Sequence, residues 1–183
     1  FIVKCIMLIV QKYSIAFSII GGISTFLIIW SLLKINKLLL FNIPNLLIVI
    51  LIFFNPMVWI MGNRYMPDLM GLSICCLAMY FFSKSYLYFN KETVLLFIFF
   101  SALLPGIRLS YLPILIIPII YSFLFFPYKI NQFILGVLTI CLWLIPMIID
   151  TGWNNLLLIA TSQMAGHFYN WGGTVISEPG YFI

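Results

Sequence analysis

Rare charged residues divide the chain into long apolar runs. No Asp, Glu, Lys or Arg occurs within residues 13–33, 38–63, 109–128 or 130–149. A helix crossing a bilayer needs roughly 17–25 mainly apolar residues, and each of these runs is long enough. The pattern predicts six helices: Ile15–Leu33, Ile43–Met61, Pro67–Tyr86, Thr93–Pro105, Leu109–Phe126 and Ile130–Ile149. Asn42 suits the N-cap of the second helix and Pro44 its first turn, while Pro56 is expected to kink it. The fourth is the shortest, with only 15 uncharged residues between Glu92 and Arg108. It would need neighbours to bury it. The polar turns fall at Gly62–Asp68, Asn90–Glu92, Gly106–Arg108 and Pro127–Lys129. The expected fold is therefore all-α: one transmembrane helix bundle of about six spans over residues 13–149. An interfacial segment over 1–12 is expected to precede it, and an outer loop over 150–180 to follow it.

Composition reinforces that reading. Hydrophobic residues make up 64% of the 183 positions and charged residues 7%, against about a quarter charged in an ordinary soluble domain. So few charges could not cover a water-facing surface. The formal charge of +5 comes from bases placed between apolar runs, as in the loops of membrane proteins, so the expected partner is the bilayer and not nucleic acid. The chain begins at Phe1 without a signal-peptide pattern, and Tyr181–Ile183 resemble the start of another apolar stretch. It is expected to be an internal fragment of a longer polypeptide. The expected location is the bacterial cytoplasmic membrane, or the endoplasmic reticulum membrane for a eukaryotic source. Cys5, Cys75, Cys76 and Cys141 form no CxxC pair and read as small hydrophobes.

Charge also sets an orientation. With alternating spans, Lys34, Lys37, Lys84, Lys91 and Lys129 share one side with Glu92. Lys4, Lys12, Arg64 and Arg108 share the other with Asp68, Asp150 and Glu178. Excess positive charge favours the cytoplasm, which puts Arg64, Asp68, Arg108, Asp150, His167 and Glu178 on the outer face. Three of the four acids and the single His thus gather on one side, as a site at the outer membrane surface requires and a plain anchor does not.

Four residues carry the candidate chemistry. Asp68 sits at the start of a helix, where a carboxylate either caps the helix dipole or serves as a fixed polar group at a cavity rim. Arg64 could pair with it, or with it bind a metal, a sugar hydroxyl or a phosphate. Arg108 follows Gly106 at a helix boundary. It either reaches lipid headgroups or uses its planar donor fork to hold a lipid-linked phosphate. His167 lies among aromatics as a loop residue or a phosphate contact. With no second His, a His-built metal site is not expected. Gly172-Gly173 permits close backbone approach. Gly21-Gly22 marks helix packing. No phosphate loop, dinucleotide fingerprint, nucleophile elbow or zinc motif is present.

The run Asn55-Pro56 followed by Asn63-Arg64-Tyr65-Met66-Pro67-Asp68-Leu69-Met70-Gly71-Leu72 resembles a pattern in membrane glycosyltransferases of the GT-C type. In these an apolar helix ends in Asn-Pro, an outer loop follows, and Asp-x-x-Gly-Leu starts the next helix. Leu104-Pro105-Gly106-Ile107-Arg108 resembles their later Gly-x-Arg turn, and His167–Gly173 a following outer loop. The resemblance implies a GT-C-like bundle and a lipid-phosphate-linked sugar donor, with transfer at the outer or lumenal face. It implies an assisting acid at Asp68, phosphate contacts at Arg64, Arg108 and His167, and compatibility with a divalent metal ion. The first-loop acid of that family would precede Phe1. Phe1–Lys12 resembles the interfacial helix after that loop. Two other classes fit the apolar pattern. A transporter would place ionisable residues at membrane mid-depth, and a non-catalytic membrane assembly protein would need no site.

Overall fold

The computed structural model describes residues 11–165 except 57, 59 and 61–66. The regular elements among them are all helical. In chain order they are α1 (Tyr13–Leu39), α2 (Asn45–Phe53), α3 (Asp68–Tyr88), α4 (Lys91–Leu103), α5 (Leu112–Phe125), α6 (Lys129–Thr151) and α7 (Trp153–Ala165). Two 3-10 turns, Leu104–Gly106 and Leu109–Tyr111, lie between α4 and α5. All but the last two residues of the expected interfacial segment lie outside the described residues, as do Arg64, His167 and Glu178. The chain forms two units, Phe1–Ile140 and Cys141–Ile183.

Among the described residues three helices are long and apolar enough to cross a bilayer: Ile15–Leu39, Asp68–Tyr88 and Lys129–Thr151. Leu109–Phe125 is apolar but shorter. The expected six spans thus reach full length at three positions. The second stops early. α2 has nine residues and ends where Phe54 turns out of the helix at φ −89°, ψ 4°. Helical positions resume at Pro56. Pro56 has no N–H to give the preceding turn, and its ring disfavours a helical Asn55, so it breaks the helix where a kink was expected. The capping expectation is also corrected. Pro44 occupies the N-cap without a side-chain bond, and Asn42 sits in the left-handed region at φ 55°. Asn36 instead holds the turn: its Nδ2 donates to the Ile43 carbonyl at 2.8 Å and its Oδ1 accepts from the Ile43 amide at 3.3 Å.

In the first unit α3 is the central helix. Phe81 stacks on Phe100 at 5.5 Å, and Phe82 packs on Phe97 at 5.2 Å, so α3 and α4 run antiparallel. α5 runs parallel to α3. Asp68 meets Arg108 at one end, Phe82 meets Tyr121 further along, and Phe89 meets Phe126 at the other end. Trp30 of α1 packs edge-on against Tyr80 at 5.1 Å. The core joins Ile74, Leu77 and Ala78 to Phe97, Leu104 and Leu115. Asn90 caps α4, its side chain accepting from the Glu92 amide at 2.9 Å, and Thr93 donates back to the Asn90 carbonyl at 2.8 Å.

On α6 the usual polarity is reversed. The buried residues of α6 are Gln132 and Thr139, while Ile130, Phe133, Leu138, Leu142 and Ile149 are exposed. The fully buried Gln132 ties the start of α6 to α5. Ser122 Oγ donates to Gln132 Oε1 at 2.8 Å, and Gln132 Nε2 donates to the Pro127 carbonyl at 3.0 Å. Helix hydroxyls at Thr25, Ser73, Ser83, Ser85 and Thr139 donate to carbonyls three or four residues back, as polar groups in an apolar surround must.

The second unit contains the last turns of α6 and all of α7. Gly152 joins them at φ +78°, a conformation that costs a residue with a Cβ but not glycine. Its amide donates to the Ile148 carbonyl at 2.8 Å, and its carbonyl accepts from the Leu156 amide at 3.1 Å. Part of the expected outer loop is therefore the helix Trp153–Ala165.

Replacing Gln132 by Leu leaves the Ser122 hydroxyl and the Pro127 carbonyl without partners. We expect Gln132→Leu to destabilise the protein by about 1–3 kcal/mol, read as a lower unfolding midpoint in detergent. An unchanged midpoint would remove this polar tie from the account of the fold.

Candidate functional site

Two of the four residues singled out by sequence meet in space. Asp68 opens α3 after Pro67. Its carboxylate therefore lies at the positive end of the helix dipole. Arg108 lies in extended backbone at φ −154°, ψ 102°, between the two 3-10 turns. The turn before it is fixed by the Leu104 carbonyl, which accepts from the Ile107 amide at 3.0 Å and from the Arg108 amide at 2.8 Å. Leu104 itself is wholly buried, so the turn is anchored in the core. Arg108 Nη2 then reaches Asp68 Oδ1 at 3.0 Å.

Gly71 makes that meeting feasible. A Cβ placed there would stand 2.7 Å from Arg108 Cβ and 3.0 Å from Tyr111 Cδ2. Only glycine lets the first turn of α3 come so close to the chain at residues 108–111. The Gly71 amide donates to the Pro67 carbonyl at 2.8 Å, closing the same turn that carries Asp68. The spacing Asp-x-x-Gly thus places the carboxylate and the gap one helical turn apart, on the side facing Arg108.

The pair is unevenly exposed. The Asp68 side chain is 15% accessible and that of Arg108 40%. The guanidinium can therefore be reached from outside while the carboxylate is held. Arg108 Nε is buried without a hydrogen-bond partner. A guanidinium offers five N–H donors, so Arg108 retains donors suited to a second anion. Its planar fork fits phosphate as well as carboxylate.

An apolar cleft of about 290 Å³ borders the same turn. Pro105 and Leu112, on either side of Arg108 in the chain, line it with Ile98, Ile119, Phe123 and Val137. Its walls suit hydrocarbon.

Sequence reasoning offered Arg64 as the partner of Asp68. Among the described residues the partner is Arg108, while Arg64 and His167 lie outside them. Asp150 is exposed in the second unit. Sequence reasoning gave Tyr111 no role, and its place between Ser110 and Leu112 gives no signal. Gly71 was visible only as part of the Asp-x-x-Gly-Leu pattern. Among the described residues no group of three or more His, Cys, Asp or Glu could hold a metal ion. Cys75, Cys76 and Cys141 are free thiols. Comparison of the chain with protein-family models, with curated proteins and with solved structures finds no match.

Gly71→Ala should force α3 away from Arg108 and Tyr111, costing about 1–3 kcal/mol as overpacking does. A wild-type unfolding midpoint in this variant would refute the close approach. The ion pair itself is open to solvent on its Arg108 side. An Asp68→Ala, Arg108→Ala double-mutant cycle should therefore give only about 0.2–1 kcal/mol of coupling. A much larger value would mean that the pair is far drier than its exposure indicates.

Proposed function

We propose that the chain is part of a polytopic membrane glycosyltransferase. It would move a sugar from a lipid-phosphate-linked donor to an acceptor hydroxyl at the outer or lumenal face. The supporting observation is the Asp68–Arg108 pair: a carboxylate and an accessible guanidinium 3.0 Å apart where α3 begins. The position at a helix start, and not at mid-helix, favours this reading over a transporter, whose ionisable groups belong at mid-depth. The apolar cleft that begins at Pro105 and Leu112, the residues flanking the Arg108 turn, offers a hydrocarbon chain apolar walls. In this reading the short helices α2 and α4 take part in a six-span, GT-C-like bundle.

The chemistry assigns each group a role. The acceptor oxygen attacks the anomeric carbon, and its proton passes to a carboxylate. The bond from that carbon to the phosphate oxygen breaks, with the electron pair leaving on the phosphate. Arg108 stabilises the charge that develops there. A phosphate competing for the guanidinium loosens its hold on Asp68, leaving that carboxylate freer to accept a proton or to support the acid that does. Arg64 and His167 are assigned as further phosphate contacts. The partners are the bilayer and the lipid-linked donor.

The test is transfer of labelled sugar from a polyprenyl-phosphate donor by the complete protein. Asp68→Asn should lower turnover by about 10²–10⁴-fold, as loss of a general base does. Arg108→Gln should lower it by about 10²–10³-fold, as loss of a charge-stabilising donor does. Wild-type rates in both variants would sink the assignment.

A further inference from the structure

A second polar feature lies at the end of α1 and shares no residue with the Asp68–Arg108 site. It is a groove of about 620 Å³ whose lining includes Trp30, Lys34, Asn36, Lys37, Asn42 and Asn45. Its wall is braced. Asn36 grips both backbone groups of Ile43 and approaches Asn45 Oδ1 at 3.5 Å, while Leu40 and Asn42 hold left-handed conformations at φ 55° in the same turn. Lys34 rests its ammonium 5.8 Å from the centre of the Trp30 ring, which orients the charge without neutralising it. Among the described residues no carboxylate lines the groove. The ion pair formed among the described residues is Asp68–Arg108, so Lys34 and Lys37 bring two uncompensated positive charges to one concavity.

Its position indicates the ligand. Ile15–Leu39 is long and apolar enough to cross a bilayer, and both lysines lie in its last two turns. The chain beyond carries Leu40, Phe41 and Ile43 exposed. Cations ending an apolar helix beside exposed hydrocarbon belong at headgroup depth, where basic pockets bind anionic headgroups. Asn45 begins α2, adding a helix N-terminus to the same lining. We infer that this groove is a phosphate site for the headgroup of an anionic lipid, with Lys34 and Lys37 as the charge-bearing contacts and Asn42 and Asn45 as hydrogen-bonding ones.

The test uses native mass spectrometry of the purified complete protein with phosphatidylglycerol, phosphatidylcholine or inorganic phosphate. Wild-type protein should retain phosphatidylglycerol over phosphatidylcholine. The doubly substituted Lys34→Gln, Lys37→Gln variant should bind it at least about tenfold more weakly. Both lysines are exposed, so the variant should keep its helical circular dichroism. Lys91→Gln, Lys129→Gln removes the same charge outside the groove and should bind as wild type. Competition by inorganic phosphate without lipid preference, lost in the groove variant, would support the same site with a soluble phosphate as its ligand. Equal lipid and phosphate binding by wild type and the groove variant would overturn the proposal. Equal weakening in both charge-removing variants would do so too.

Discussion

The first unit depends on the approach of α3 to the chain at Arg108 and Tyr111 across Gly71. Where a Cβ would stand 2.7 Å from Arg108 Cβ, backbone and side chain can meet only if one partner has no side chain. That contact aligns α5 with α3, and the order Asp68 with Arg108, Phe82 with Tyr121 and Phe89 with Phe126 follows along the pair. α4 returns between them in sequence, and its Phe97 fills the core with no exposure. The same contact that packs the helices brings a carboxylate to a guanidinium at their start. Packing and candidate chemistry therefore share one cause.

A second constraint is the apolar exterior. Each buried polar group needs an internal partner, because an unpaired one costs several kcal/mol in hydrocarbon (about 4–8 by alkane transfer). Hydroxyls solve this locally by donating up their own helix. Gln132 solves it across helices, serving both Ser122 and Pro127. The buried exceptions among the described side chains are Ser31, Ser101 and Arg108 Nε. Ser101 lines the apolar cleft and Arg108 forms the candidate site, so two of these three unmet groups lie where a ligand is proposed. The lysines of the α1 groove show the complementary arrangement at the rim, with charge left uncompensated where headgroups would meet it.

Much of the fold was legible in the chain. Charge-free runs located α5 and α6 to within a few residues and the start of α1, because a bilayer-length apolar run has few alternatives to a helix. α1 continues through Lys34 and Lys37 to Leu39, six residues past its expected end, and α3 was found between two polar turns despite Asp68 and Lys84. Asn90 and Glu92 marked a turn that proved to be a capped helix start. The break at Pro56 was marked but its severity was not, since proline either kinks or ends a helix depending on what surrounds it. α7 was missed within the expected outer loop. Its asparagines and glycine-led start read as loop chemistry, and nothing local revealed that Gly152 would turn the chain directly into another helix.

Sequence by itself determined that the chain is helical between its polar turns, where most of the long helices run, and that Asp68 and Arg108 are rare charges worth weighing. These follow from composition and spacing within a few turns of chain. The tertiary structure alone decided that Asp68 pairs with Arg108 across forty positions, that Gly71 is the gap admitting it, and that Ser122 needs Gln132. Such pairings depend on how one helix slides along another. That register is set by the fit of side chains from distant segments, which periodicity within a segment does not record.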